Sequence, residues 1–470
     1  MTQRSFEVVE ARTYDVVVVG GGTTGIAAAV ASARGGARTL LVDGLGFLGG
    51  NSAAIPAWLG FHDLGGFPVV GGIAREMVQR LQSQGGATPF YPDPICGSVV
   101  GIDVNLWKLL AMSATQAAGV EVLLHSFAVD ADMEGNAIRG VFCQDRGGLR
   151  LFRARVVIDC TDAGDVARHA GAVLHRGRER DGRVQVASWI FAVGGVDFPA
   201  LLDYFRRVPQ DIRPFPGIDF EERLKHMAAD EVFVMGSFRS LIERARQDGR
   251  ELPRTVFPGL AFPRRGEVFS VATRVEDADP LDPWNLTRAE AEGMRQVGPC
   301  IGFLRDCVPG FAGCRLVWTP HAIGLRETYH LAGDYTLTAE DLLAGRQFDD
   351  AVACGAFHLD IHTPDHGGLE TQRPRAYSIP YRSLLPKGLD GLLVAGRAIS
   401  ATHEAMASTR VIPTSMAQGE AAGAAAALAV RAGTPPRRTP VGALQERLRE
   451  AGAILDAPGD GTPSTKKERM

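Results

Sequence analysis

The feature that most constrains this chain is Val16-Val17-Val18-Val19 running straight into Gly20-Gly21-Gly22-Thr23-Thr24-Gly25. Four β-branched residues closed by glycine predict a strand buried on both faces, as inside a parallel sheet. The Ala-rich run to Ala33, stopped by Gly35-Gly36, predicts a helix, and Arg38 to Asp43 (RTLLVD) predicts a second short strand. Strand, turn, helix and strand within about 30 residues make one βαβ unit. Gly20, Gly22 and Gly25 have the GxGxxG spacing. In such a turn the first glycine permits the bend and the second lets a pyrophosphate approach the backbone. The third lets helix and strand close up. The free N–H groups and dipole of the helix start then favour phosphate. Asp43, 18 residues after Gly25, is placed to accept ribose hydroxyls.

Composition narrows the class. A net charge of −4 leaves no basic field for nucleic acid or an anionic membrane. Seven cysteines, an odd number without a CxxC pair, argue against a disulfide scaffold or zinc ribbon. Reduced thiols and a cytoplasmic location are expected. No charged-then-apolar leader is visible and no apolar run approaches about 18 residues, so neither a secretion signal nor a membrane span is expected.

Further signals surround the first unit. Ala29 and Gly36 extend the pattern to GxGxxGxxxAxxxxxxG, which resembles the FAD form of the motif. Gly49-Gly50-Asn51-Ser52 follow Asp43 after a short loop, and no second GxGxxG follows another strand. Residues 119–129 alternate like one strand, and 137–145 and 149–158 continue it as a β-meander. The meander ends in Asp159-Cys160-Thr161-Asp162-Ala163-Gly164-Asp165. Near the C-terminus, Leu392-Leu393-Val394-Ala395-Gly396-Arg397 predicts a strand closing on glycine. Gln418-Gly419-Glu420 opens an Ala-rich helix about twenty residues later.

These segments, with VGGIAREMV and LRETYHLAGDYTLTAEDLLAG, resemble the FAD-dependent oxidoreductase family of the glutathione-reductase-type flavoprotein superfamily. The resemblance spans 14–165 and 318–430 and departs from the family at Thr328-Tyr329, where paired arginines usually follow the RE dipeptide. It implies an α/β fold: a Rossmann-type FAD-binding domain, its parallel sheet carrying a β-meander, interrupted by an α+β substrate or cap domain. Residues 1–165 and 385–433 are expected in the FAD-binding domain and 166–384 in the cap. Residues 434–470 are expected to form a helix over 441–452 and a flexible tail.

FAD is expected to be held by Gly20, Gly22, Thr24, Gly25 and Asp43, by Gly49, Gly50, Asn51 and Ser52, and by Val129, Thr161, Gly396, Arg397 and Gly419. Candidate catalytic groups are His403, Arg410, Arg326, His330 and Tyr335. A histidine or tyrosine can take a substrate proton, and an arginine can grip a carboxylate. Arg326-Glu327 is read as a structural ion pair under the cofactor. His358 and His362 are four apart, but Pro364 argues against a helix there, and no metal is expected. The expected activity is hydride transfer between a small organic substrate and the flavin N5, in a dehydrogenase or oxidase. A redox-neutral isomerase or lyase is the alternative. The electron acceptor is open, with O2 a candidate, and a homodimer is the one protein partnership considered.

Overall fold

The computed structural model describes residues 7–212, 219–365 and 370–457. His366 and the expected tail beyond Ala457 lie outside them. Among the described residues the largest sheet has seven strands. They are Val8–Val19 (β1), Thr39–Val42 (β2), Glu121–Leu123 (β3), Phe127–Glu134 (β4), Ala137–Asp145 (β5), Gly148–Asp159 (β6) and Leu392–Val394 (β7). Their order is β3-β2-β1-β6-β5-β4, with β7 also on β6. The pairs β3–β2, β2–β1, β1–β6 and β6–β7 are parallel, and β4, β5 and β6 form the antiparallel meander. Val16 to Val19 occupy the buried centre, which is why they can be uniformly apolar.

One expected strand is two. The 119–129 run breaks at His125, whose φ of 57° turns the chain. The reason is a change of partner: β3 adds in parallel to β2, whereas β4 starts a hairpin with β5.

The chain ends meet in this layer. Helix Thr23–Arg34 (α1) follows β1, Gly72–Ser83 (α2) lies farther along, and β7 leads through His403–Thr409 (α3) into Ile412–Ala432 (α4). A Cβ on Gly419 would stand 2.2 Å from the Thr24 carbonyl oxygen, and one on Gly423 would stand 2.1 Å from that of Ala28. The two Ala-rich helices therefore touch backbone to backbone. Gly419 is a packing position between these helices.

Two main apolar cores result. The first joins the β1–α1 unit to α4 and also takes in Leu337, Val352, Tyr377 and Leu385. The second lies between Ala187 and Ile323, under an antiparallel sheet and the helix Pro283–Cys307. The expected boundary at 384 thus falls inside a stretch that packs with the first core. The helix expected over 441–452 spans Val441–Glu450 and buries Leu444 and Leu448. None of the seven cysteines is in a disulfide. Burial pushes the Cys160 thiol well up, which leaves little of the reactive thiolate. No helix among the described residues is long and apolar enough to cross a membrane.

Glu420 is buried on α4 and accepts the Ile73 backbone N–H at the start of α2, at 2.8 Å. Its other oxygen has no partner. Burial raises its pKa from 4.5 to about 7, against the Ile73 hydrogen bond. The folded state therefore binds this proton more tightly than the unfolded chain. The resulting stabilisation is complete below pH 4.5 and is lost as pH rises through about 7. At roughly 1.4 kcal/mol per unit the full swing is about 3 kcal/mol. Glu420→Gln should gain on the wild type progressively from pH 5 to pH 8 in urea unfolding. A difference that stays flat with pH would contradict this origin.

Candidate active site

Because β1, β2, β6 and β7 run parallel, their carboxyl ends deliver four loops to one edge. These are 20–25, 43–50, 160–165 and 395–402. Ligands of open α/β sheets bind at such an edge. The loops are tied together: Cys160 donates to the Val19 carbonyl, Ala395 to that of Asp159, and Gly49 to that of Gly21 at 2.8 Å.

The three motif glycines do different work. A Cβ on Gly25 would fall 1.7 Å from the Gly20 carbonyl oxygen, and one on Gly20, at φ +100°, would fall 2.5 Å from that of Cys160. A Cβ on Gly22 would meet nothing within 4 Å. Gly22 also starts α1 without any side-chain cap. An open approach to uncapped N–H groups is what a phosphate needs. Asp43 accepts the Gly21 and Leu45 backbone N–H groups, which fixes its carboxylate at the end of β2. Gly50 sits with its Cβ position 3.2 Å from the Gly22 Cα.

The remaining loop residues divide. Ser52 is buried, donates to the Gly49 carbonyl and accepts Trp107 Nε1, so its hydroxyl is spent inside the loop. Asn51 is half-buried. Thr161 donates to Asp159 and accepts the Asp165 N–H. Thr24 faces Gly396, whose N–H donates to Gln418. Val129 is the extra residue of a bulge in β4. Arg397 donates to the Leu325 carbonyl and stands 2.8 Å from Asp162, while its buried Nε has no partner.

A buried acid–base pair lies beyond this edge. Glu327 is fully buried and accepts three hydrogen bonds of 2.8 Å, from His403 Nδ1, His330 Nε2 and the Gln185 backbone N–H. Burial alone would raise its pKa, but the His330 and His403 bonds outweigh it and bring the carboxyl to about 2. An ionised carboxylate only accepts, so Nδ1 of His403 carries a proton and Nε2 is the ring nitrogen left for another partner. Among the described residues that Nε2 makes no hydrogen bond, whereas His330 Nδ1 is buried without one. Arg326 does not pair with Glu327. It donates to the Val186 carbonyl and to Ser188 Oγ, at 2.7 and 2.9 Å.

The other expected groups are partly assembled. Arg410 donates to Asp360 Oδ2 at 3.1 Å. His362 stands 3.1 Å from the same carboxylate and His358 3.5 Å. Both histidines flank an aspartate in a short strand, Leu359–Ile361, and among the described residues no metal-holding group forms. Tyr335 is not brought here: its hydroxyl donates to Asp341, and its ring lies against Phe348 and under Arg382. The two surface hollows, about 440 Å3 beside Arg153 and about 330 Å3 beside Arg250, lie away from all these groups.

A family model described as FAD dependent oxidoreductase matches residues 15–448. The chain belongs to this family.

Solved structures similar to this FAD dependent oxidoreductase family member include p-nitrophenol 4-monooxygenase PnpA from Pseudomonas putida DLL-E4. It is 12% identical, with 93% of this chain and 84% of that one covered, at a TM-score of 0.49. A geranylgeranyl bacteriochlorophyll reductase-like protein from Thermoplasma acidophilum is also 12% identical, covering 94% and 84%, at 0.47. The flavin-dependent brominase Bmp2 is 13% identical, covering 93% and 83%, at 0.47.

The cofactor is FAD, and the residues present fit it. The open face of Gly22, the uncapped α1, the fixed Asp43 and the partnerless Nε of Arg397 are all groups that a dinucleotide can complete. Sequence reasoning missed Ser188 and Asp360 as partners of Arg326 and Arg410, and did not single out Arg254, which hydrogen-bonds Ser188 at 3.4 Å. Asp360, between two histidines, carried a readable signal. Arg254 and Ser188 lie in segments without a motif and join the site only through the fold.

Proposed function

We propose that this enzyme moves a hydride between a small organic substrate and the N5 position of FAD, with His403 as the group that holds the substrate's proton. The observation that carries the reading is the Glu327–His403 pair with Nε2 open. FAD, when bound, supplies the two-electron exchange. Glu327 fixes the tautomer and orientation of His403 and stabilises its protonated form. His403 Nε2 accepts the proton as the substrate is oxidised, or returns it in reduction. His330, on the same carboxylate, is a positioning residue. Arg397 and the uncapped start of α4 lie at the loop edge and would stabilise negative charge on the reduced cofactor.

Kinship with the glutathione-reductase-type superfamily belongs to the same proposal, on the strength of the GxGxxG turn and Asp43. So does a division into an FAD-binding lobe built from both chain ends and a cap carrying the second core. The test is an anaerobic screen of small organic compounds against the purified yellow protein, followed by flavin bleaching. Bleaching by a substrate class, with matched product, supports hydride transfer. Turnover of a substrate with no transient bleaching and no net oxidation would overturn it.

A further inference from the structure

Where the two cores meet, three guanidinium groups surround one carboxylate. Arg254 comes from the loop before the strand Phe257–Phe262, Arg326 from the segment before Tyr329–Leu331, and Arg410 from the end of α3. Arg254 and Arg326 converge on a single hydroxyl, Ser188 Oγ, at 3.4 and 2.9 Å. Arg410 reaches Asp360, and Asp360 reaches His362, which touches Arg254 at 3.4 Å. Of the neighbouring charges, Arg274 pairs with Glu276 and Arg397 with Asp162. With Glu327 counted as the second nearby anion, three cations face two carboxylates, and one positive charge is left over.

The cations show the strain of this crowding. Burial, then the neighbouring Arg254 and Arg410, pushes the Arg326 guanidinium well below its ordinary range. Burial, then Arg274, brings Arg254 down to about 10. Burial, then Arg326, holds His362 neutral at about 3. Burial opposes the ionised Asp360, but the flanking histidines and Arg410 outweigh it and hold its carboxyl well below the usual range.

The donors are also under-used. Arg254 makes only long bonds, of 3.3 to 3.4 Å. Among the described residues Arg326 bonds through Nη1 alone, to Val186 and Ser188. Arg410 uses Nη2 alone, and its Nε is sealed without a partner. A protein does not keep uncompensated buried cations and idle planar N–H forks without cost, and the ligand that offsets both is a carboxylate gripped by a guanidinium.

We infer that Arg254, Arg326 and Arg410 form a subsite for a carboxylate of the substrate, so that the enzyme acts on an organic acid. This rests on the reading of the same site as the place of hydride transfer. Arg410 lies close enough to Glu327 for their charges to be felt, so the bound acid sits in the field of the Glu327–His403 pair. Ser188 holds Arg254 and Arg326 in position through one oxygen.

The experiment uses the FAD-loaded full chain and does not need turnover. Acetate and benzoate are titrated against acetamide, benzamide and chloride, following the flavin absorption band and the unfolding temperature. The carboxylates should perturb the band saturably, at least tenfold more tightly than their amides, and raise the unfolding temperature. Arg326→Met and Arg410→Met should weaken the carboxylates tenfold or more and leave amide affinity unchanged. Amides or chloride binding as tightly as carboxylates would overturn the subsite, as would wild-type affinity in both variants. If either variant fails to fold, Arg326→Lys decides by the same ratio, because it keeps the charge and loses the planar fork. The His403→Ala protein separates the two readings. Carboxylates should still bind it. Carboxylate binding with flavin reduction indifferent to His403 would remove the base and leave the subsite. Flavin reduction by a neutral substrate without carboxylate binding would do the reverse.

Discussion

His403→Ala is expected to slow flavin reduction by about 10²–10⁴-fold, the usual worth of a positioned general base, while FAD occupancy stays near wild type. The expectation follows from what the ring touches. Its Nδ1 is committed to Glu327 and its Nε2 to nothing, so the side chain contributes a held proton acceptor. It lies at the start of α3, whose N-cap is made by Thr402, so the helix start survives removal of the imidazole. Added imidazole should restore part of the rate, because the deletion leaves a ring-sized space facing an ionised Glu327. A purely structural role would show no such rescue. An unchanged rate with the true substrate would make His403 a wall of the pocket. Loss of FAD would instead assign it to the cofactor cradle.

The βαβ unit was legible because its signals are local. Apolar run, glycine spacing and terminal Asp43 all lie within about 30 residues and act on neighbours in sequence. The return of β7 and α4 to that unit was legible for a similar reason: a strand closing on Gly396 and an Ala-rich helix imply a buried place. The packing role of Gly419 was not legible, because a glycine opposite a phosphate and a glycine opposite a helix backbone look alike in sequence. Only the 2.2 Å approach to Thr24 separates them.

The site was half legible. His403, His330, Arg326 and Arg410 were candidates by residue type, yet their partners were not. Arg326 and Glu327 are adjacent in a non-helical run, and adjacent side chains there point to opposite sides. One therefore faces Ser188 and the other His403. Arg254 and Asp360 are more than a hundred residues apart, and their convergence is a property of how the second core docks on the first. No spacing rule reaches that far.

Gly22→Val should yield a folded, colourless protein. The position has backbone angles of φ −67° and ψ 179°, which any residue adopts, and a Cβ there meets no protein atom within 4 Å. The side chain would instead fill the approach to the uncapped N–H groups of α1, the space a pyrophosphate must occupy. The protein should therefore keep its circular dichroism and lose FAD during purification, with no recovery on adding the cofactor back. Gly25→Val is the contrasting case. Its Cβ would lie 1.7 Å from the Gly20 carbonyl oxygen, and backbone cannot move aside as a flexible side chain can. That protein should fail to fold before cofactor binding can be asked. A yellow Gly22→Val protein with normal FAD content would show that the phosphate lies elsewhere on the loop edge. A well-folded Gly25→Val protein would show that the Gly20–Gly25 turn is looser than the distances require.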